Sequence, residues 1–300
     1  MRLLGQNLRV LLFDSATEKY HVVAMATSCT INLTNNTQES QTKDDVGLAS
    51  KPEIVSKAWS VQVESMNVSE MGMFLTAIKS MTPMKLMWDK VNTTNNQAPT
   101  GASFARTGMA YLSDCTFNFN DRENSTSSLQ FTGCTPLETI VSPSYATSSV
   151  SAYTKGQFVR LFISDIASPA NVIAGAKTLS LHISLSLESK TSKDTEGTFD
   201  VQEPTGLSYD ISTNALVESG ESITSEVQSE LISSMMEYYD DSDLLYWQIA
   251  NVSGDNNRTK GNIICSGQCQ IASLAINAAV KQAATYDASL VGYGPFTIGA

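Results

Sequence analysis

The sequence predicts a mainly β chain made of two tandem modules, each a β-sandwich or small barrel with one packed helix. Three observations support this class. Charged residues make up only 16% of the 300 residues, while Ser, Thr and Asn are abundant. Long segments alternate apolar and polar residues with a period of two, which is typical of strands with one buried face. Landmarks of the first half also recur in the second half in the same order, which indicates a repeated module.

The repeat appears when the chain is shifted by 150 residues, and the offset later drifts to 159. "VVAMATSCTINLT" then lies over "VIAGAKTLSLHIS", Trp88 over Trp247, and Gly133 over Gly292. We therefore predict a first module over residues 1–138 and a second over residues 157–300. Residues 139–156 are rich in Ser and Thr, contain Pro143 and show no periodicity, so they are predicted to be a linker.

Each module begins with a short apolar strand, "RVLLF" or "VRLFI". A long alternating strand, a polar loop and a second alternating strand follow. The core-facing positions of these strands are predicted to be Cys29, Ile31, Leu33, Trp59, Val61 and Val63 in the first module, and Leu179, Leu181, Ile183, Leu185, Tyr209, Ile211 and Thr213 in the second.

A helix is predicted next in each module. In the first, the apolar positions are Met71, Phe74, Leu75 and Ile78, and Pro83 ends the helix. In the second, they are Ile223, Val227, Leu231, Met235 and Tyr238, with a capping box formed by Ser225 and Gln228. Strands around "MKLMW" and "LLYWQ" follow, and each module closes on a hairpin that ends in "SLQFTGC" or "SLVGYGPFTIG".

The polar sides of the alternating strands carry hydroxyl and amide groups more than Lys and Glu. This composition suits the wall of a water-filled channel, and the charges it has are mostly acidic, so it would repel phosphates. The predicted channel-facing residues are Thr30, Asn32, Ser60, Gln62, Glu64, Ser180, His182, Ser184, Asp210 and Ser212.

Several classes of function are disfavoured by composition. The net charge is −11 and no basic run occurs, so duplex nucleic acid is not an expected specific ligand. The sequence contains only two His residues, too few to favour a catalytic triad or a His-based zinc site. We therefore expect no catalysis, no metal and no cofactor. No signal peptide and no membrane span are expected. The five Cys residues, including Cys265 and Cys269, are interpreted as reduced thiols, and the acidic run Glu237–Asp243 as a solvated helix end.

Taken together, the motifs resemble the major tail tube proteins of long-tailed bacteriophages. The resemblance rests on "ATSCTINLTNN", "TKDDVG", "KAWSVQVES" and "LQFTG" in the first module, and on "AKTLSLHISLS", "SKDTEG", "LSYDIST" and "LVGYGP" in the second. It implies a structural subunit whose rings of three chains mimic six modules. Such rings stack into a hollow tube that conducts DNA to the host cell. A distal tail or baseplate ring, or another virion adaptor or adhesin, remains an alternative.

The resemblance also implies partners and a location. The partners are other copies of the chain and further tail proteins, such as tape measure, terminator and distal tail proteins, while DNA passes without specific binding and no membrane is involved. The location is the virion tail, after assembly in the host bacterial cytoplasm. The polar loops Thr34–Asp45 and Ser184–Thr195 are predicted to contact the adjacent ring, through Glu39, Ser40, Lys43, Asp44, Glu188, Ser189, Lys193 and Asp194.

Overall fold

A computed structural model describes most of the chain. The described residues are 5–23, 25–39, 52–66, 70–91, 99–102, 104–140, 143–146, 154–169, 172–173, 175–191, 198–217, 229–230, 232–241, 244–253 and 259–299. Its described residues form one helix in the first half, α1 (Met71–Lys79), a short 3₁₀ helix at Gly5–Asn7, and eight strands: β1 (Leu8–Asp14), β2 (Lys19–Val22), β3 (Ala26–Glu39), β4 (Pro52–Ser65), β5 (Met84–Lys90), β6 (Arg106–Asn120), β7 (Thr126–Gly133) and β8 (Glu138–Thr139).

The second half follows the same plan. It contains α2 (Ile232–Asp240), a 3₁₀ helix at Gly156–Phe158, and the strands β9 (Val159–Ser164), β10 (Val172–Ile173), β11 (Ala176–Ser189), β12 (Gln202–Leu216), β13 (Ser229–Glu230), β14 (Leu245–Ser253), β15 (Thr259–Asn277) and β16 (Thr285–Ile298). The mainly β class with one described helix in each half is confirmed.

The two halves pair their strands in the same order. In the first half the order is β2-β1-β5-β6-β7-β4-β3, and in the second it is β10-β9-β14-β15-β16-β12-β11. The irregularities also correspond: β3 and β11 are bulged after Ala26 and Ala176, and β6 and β15 after Leu112 and Ile271. Adding 150 to a residue of β3 or β4, or 159 to a residue of β6 or β7, therefore gives its structural counterpart. Descent from a sequence duplication, and the module boundaries, stay predictions.

The halves join through a strand pair. The end of β6 pairs antiparallel with β11, from Asp114 opposite Ser184 to Asn120 opposite Thr178. The beginning of β6 pairs with β5 instead. An eight-stranded antiparallel layer therefore runs through both halves in the order β3-β4-β7-β6-β11-β12-β16-β15, which we call the central sheet.

The core lies on one side of the central sheet and is continuous between the halves. Trp59 packs over Gly133 so closely that a Cβ there would overlap its indole ring, and Tyr209 occupies the same place over Gly292. The apolar residues predicted for α1, Met71, Phe74, Leu75 and Ile78, are all buried, as predicted. No helix in the described part of the chain is long and apolar enough to cross a membrane.

Two predicted elements need correction. The sequence predicts that the second helix begins at Ile223, but among the described residues it begins at Ile232. Ser229–Glu230 form the strand β13 instead and pair in parallel with β10. Tertiary pairing there overrides the helical spacing of the side chains. Ile223, Ser225, Val227, Gln228 and Leu231 lie outside the described residues. Leu33 points to the core side as predicted, but it is 66% exposed because β3 is an edge strand.

Candidate functional site

The predicted channel-facing residues share one face of the central sheet. Alternation along each strand places them opposite the core, and the strand register aligns them across strands. Thr30 lies opposite Gln62, Asn32 opposite Ser60, His182 opposite Asp210, and Ser184 opposite Ser208. Neighbouring strands extend the same rows with Ser128, Gln130, Asp114, Thr116, Ser289 and Val291. We call this surface the polar face.

In the middle of the polar face the ionisable groups are four carboxylates and one imidazole: Glu64, Asp114, Asp210, Asp287 and His182. Towards the hairpin tip of the second half, Glu188 lies opposite Glu203, and Glu203 forms an ion pair with Lys190 at 2.6 Å. Among the rows of paired residues named above, no outward position holds a Lys or Arg, although Lys177 in the bulge of β11 and Lys190 beside Glu203 are exposed at the two ends of the face. The middle of the face is therefore hydroxyl-rich and amide-rich, with a negative balance.

His182 lies at the junction of the halves, between two carboxylates. Its Nε2 is 2.7 Å from Oδ2 of Asp114 on β6, and its Nδ1 is 3.0 Å from Oδ1 of Asp210 on β12. Partial burial opposes the charged imidazolium, but the hydrogen bonds and charges of the two carboxylates outweigh it, so the pKa of His182 is raised. When protonated, His182 donates to both carboxylates and links the halves across the polar face.

The other carboxylates are held by neutral donors. The Ser128 hydroxyl donates to Glu64 at 2.8 Å, and the Gln62 amide donates to the same oxygen at 3.2 Å. Asp287 accepts from the side-chain amides of Asn214 and Asn277, each at 2.7 Å. None of these donors carries a charge, so none of them compensates the charge of a carboxylate.

The two outer strands of the central sheet have open edges. Within the described chain β3 pairs only with β4, and the residues of β15 nearest its turn to β16 pair only with β16. Leu33 on β3 is 66% exposed and Ile276 on β15 is 51% exposed. Their counterparts at the internal junction, Ile183 and Phe117, are fully buried where β11 meets β6. Unpaired apolar edges of this kind are templates for another chain.

The predicted loop residues are only partly described. Glu39 and Glu188 stand at the exposed ends of the long hairpin arms, and the Ser189 hydroxyl donates to the Asp200 carboxylate. Ser40, Lys43, Asp44, Lys193 and Asp194 lie outside the described residues. The returning arm of the second hairpin contacts the first half. The Lys57 amide donates to the Thr198 carbonyl at 2.6 Å, and the Asp200 amide donates to the Lys57 carbonyl at 2.9 Å.

Sequence reasoning missed Asp114, Lys57 and Thr198. Alternation along β6 is interrupted by the bulge after Leu112, and this hides the outward position of Asp114. The contact of Thr198 with Lys57 joins positions far apart in the chain and leaves no local pattern.

The cysteines are mostly buried. Burial raises the pKa of the Cys269 thiol to about 12 and raises that of Cys265 further still. In the part of the chain that the structure describes, no group of three or more His, Cys, Asp or Glu side chains could hold a metal ion.

No family model matches this chain, and no curated protein matches it. Solved structures do. Over 49% of this chain and 99% of theirs, it is similar at 15% identity to the tail of an empty gene transfer agent particle with C6 symmetry (TM-score 0.38) and to the virion of a native gene transfer agent particle (TM-score 0.36). It is also similar to the SPP1 tail tube, at 15% identity over 48% of this chain and 78% of that chain (TM-score 0.36). Two of these three structures are described as a tail or a tail tube, and the third as a whole virion.

Proposed function

We propose that the chain is a structural, non-catalytic subunit of a phage-type tail tube. In this proposal three chains form a ring of six similar halves, and stacked rings enclose a channel for DNA. The observation that supports it is the central sheet. The middle of one of its faces is hydroxyl-rich and amide-rich with a negative balance, and its two open edges match the edges already joined inside the chain.

The internal junction supplies the register for the joint between copies. There Ser184 lies opposite Asp114, and Leu181 opposite Phe117. Subtracting 150 from the β11 residues and adding 159 to the β6 residues puts Thr34 of one copy opposite Ser273 of the next. The same register puts Ile31 opposite Ile276. Pairing in this register covers the exposed apolar residues of both edges. A closed ring then leaves no open edge in the central sheet.

Three chains would contribute about 24 strands to one closed barrel. Barrels of about 16–18 strands already leave an aqueous channel, so a barrel of this size encloses a wider one. The polar face would line it, since the core packs against the opposite side. A solvated acidic wall repels phosphates, which suits passage of DNA without adhesion.

Electron microscopy of the concentrated purified protein tests the proposal. We expect rings or tubes with three-fold symmetry and a six-fold appearance, and native mass spectrometry of the smallest ring should give three chains. Six chains in one layer would contradict the stoichiometry. A protein that stays monomeric at every concentration and binds a virion partner or a sugar would instead favour the adaptor or adhesin.

Cysteine pairs test the register directly. Asn32 and Ala275 become a directly opposed cross-strand pair between copies, with Cβ atoms about 4.5–5.5 Å apart. The Asn32→Cys, Ala275→Cys double variant should therefore oxidise to covalent closed rings. The matched control combines Thr30→Cys with Ser273→Cys, which are four positions out of register. Equal cross-linking of both pairs would show that the register is wrong.

The polar-face assignment has its own test. Glu64→Lys with Ser212→Lys adds positive charge to the face and leaves the His182 link intact. We expect tubes to form, because both positions are solvated, and DNA delivery by assembled particles to slow, because phosphates would be held. Wild-type delivery by this variant would contradict a channel-lining role.

Stacking is assigned to the long hairpins. Their arms project beyond the core with exposed residues from Leu33 to Glu39 on β3. The predicted loops Thr34–Asp45 and Ser184–Thr195 begin inside β3 and β11, which end at Glu39 and Ser189. We propose that the parts beyond these strand ends contact the neighbouring ring, and that the tube ends meet other tail proteins of the virion. Replacing residues 40–45 with a Gly-Ser segment should leave single rings that no longer stack, as counted by microscopy. Tubes of normal length from that variant would exclude the role.

A further inference from the structure

A pocket on the first half lies beside the open edge of β3. It has a volume of about 200 Å³ and is lined mainly by Gly5, Leu8, Arg9, Ala26, Thr27 and Cys29. We call it the Arg9 pocket. Nothing from the described chain fills it.

The counterpart of this pocket in the second half is filled. It is lined by Gly156, Val159, Arg160, Ala176 and Lys177, together with Phe119 and Asp121 at the end of β6, and only about 10 Å³ remains. The Asp121 amide donates to the Lys177 carbonyl at 2.8 Å. The turn between β6 and β7 of the first half is thus inserted into the second half.

Gly156 allows this insertion. A Cβ at Gly156 would overlap the backbone N and O atoms of Asn120 and would lie 2.6 Å from the Phe119 carbonyl carbon. Close approach of the β6 end therefore requires glycine at this position. Its counterpart in the Arg9 pocket is also a glycine, Gly5, because the 3₁₀ helices Gly5–Asn7 and Gly156–Phe158 directly precede β1 and β9 and correspond with an offset of 151. A Cβ at Gly5 would meet nothing within 4 Å.

The matching projection at the other end of the chain is the turn between β15 and β16. Adding 159 to Phe119 and Asp121 gives Ala278 and Val280. Val280 is 90% exposed, a high value for an aliphatic side chain. We infer that the Arg9 pocket receives the β15–β16 turn of a second copy of this chain. The inference rests on the proposed ring and adds the contact that seats one copy against the next.

The offsets that set the strand pairing between copies also set the position of the turn. The strand pairing proposed between copies places Asn277 opposite Thr30, and three more residues along each strand bring Val280 to Thr27. These are the counterparts of Asp121 and Lys177, which are already hydrogen-bonded inside the chain. One register therefore pairs the open edges and fills the pocket. The occupant of the pocket differs from its internal counterpart, because aliphatic Val280 replaces Asp121.

Gly5→Ala and Gly5→Val test the inference. In the isolated chain the added atoms enter open space, and the φ of Gly5 lies outside the left-handed region, so the melting temperature should not change. In the assembled state the added Cβ would overlap the backbone of the partner copy's β15–β16 turn. We expect both variants to stay folded and monomeric at concentrations where the wild type forms rings. Gly72→Ala, where a Cβ also meets nothing within 4 Å, is the control and should assemble normally.

A second measurement separates this contact from the ring itself. Thr27→Cys with Val280→Cys should cross-link neighbouring copies in rings and leave a dilute monomer unlinked. Rings from the Gly5 variants at wild-type concentration, or rings of the double variant in which positions 27 and 280 do not link, would overturn the pocket assignment and leave the tube proposal standing. A wild-type chain that forms no rings at any concentration would overturn both.

Discussion

Leu33 offers the most direct measurement of how much the open edge contributes to assembly. About two thirds of its side chain is exposed in the single chain, while its counterpart Ile183 is fully buried at the internal junction. Full burial of a Leu side chain is worth about 1.5–3 kcal/mol, so covering the exposed part contributes roughly 1–2 kcal/mol per joint between copies. Each chain of a closed ring makes one such joint. Three joints are weakened over the two association steps that close a ring of three chains, so Leu33→Ala should raise the concentration for half-assembly of rings about 10- to 150-fold.

Leu33→Asp should have a larger effect. It would bury a carboxylate without a partner, which costs several kcal/mol, and assembly should fail in any practical concentration range. The isolated chain should be affected little, because position 33 is mostly solvated there. Sedimentation velocity over a concentration series gives the assembly midpoint, and thermal unfolding of the dilute chain gives its stability.

The matched control is Ile166→Asp, which removes a similarly exposed aliphatic side chain (60% exposed) from a turn away from both open edges. It should assemble like the wild type. Assembly of Leu33→Asp at wild-type concentrations, or equal loss in both aspartate variants, would refute the edge-pairing argument.

Three further predictions concern the single chain. The raised pKa of His182 means that folding favours its protonated form. His182→Asn should therefore lower the free energy of unfolding by about 0.5–1 kcal/mol below pH 6.5. Denaturant titrations should show this difference disappearing as the pH rises through the pKa of the folded state. Gly133→Ala should lower the free energy of unfolding by about 1–3 kcal/mol in the same assay, because the new methyl group overlaps Trp59; an unchanged midpoint would contradict the packing. Cys269 is buried, with a pKa of about 12, and should resist modification by maleimide at pH 8 until the chain unfolds. Half-buried Cys29 should be modified first, as followed by mass spectrometry.

Local patterns predicted the parts of the fold that local physics determines. Alternation placed Trp59, Val61 and Val63 in the core, and all three are buried. It also placed Glu64 and Asp210 on the opposite face, because side chains on a strand change sides at every residue.

The junction between the halves could not be predicted in the same way. Pairing of β6 with β11 joins residues such as Asp114 and Ser184 that are 70 positions apart, and neither strand carries a local signal for the other. The β13 pair overrode the helical spacing before Ile232 for the same reason. The link of His182 to Asp114 depends on that junction, so it could be seen only once the strands were aligned. Once they were, the open edges and the Arg9 pocket followed from comparing one half with the other.

The pairing of β6 with β11 inside one chain also changes the kinetics of ring closure. In the proposed ring of six halves, three of the six joints are made when each chain folds, at the high effective concentration of tethered parts. Closure is then an encounter of three bodies instead of six. Where partial rings equilibrate before closure, the rate of closure scales with about the third power of the chain concentration instead of the sixth power for separate halves, so fewer copies per cell would suffice to start a ring. A tethered pair also keeps the two kinds of half in equal number and strict alternation, so that a ring cannot close with the wrong composition.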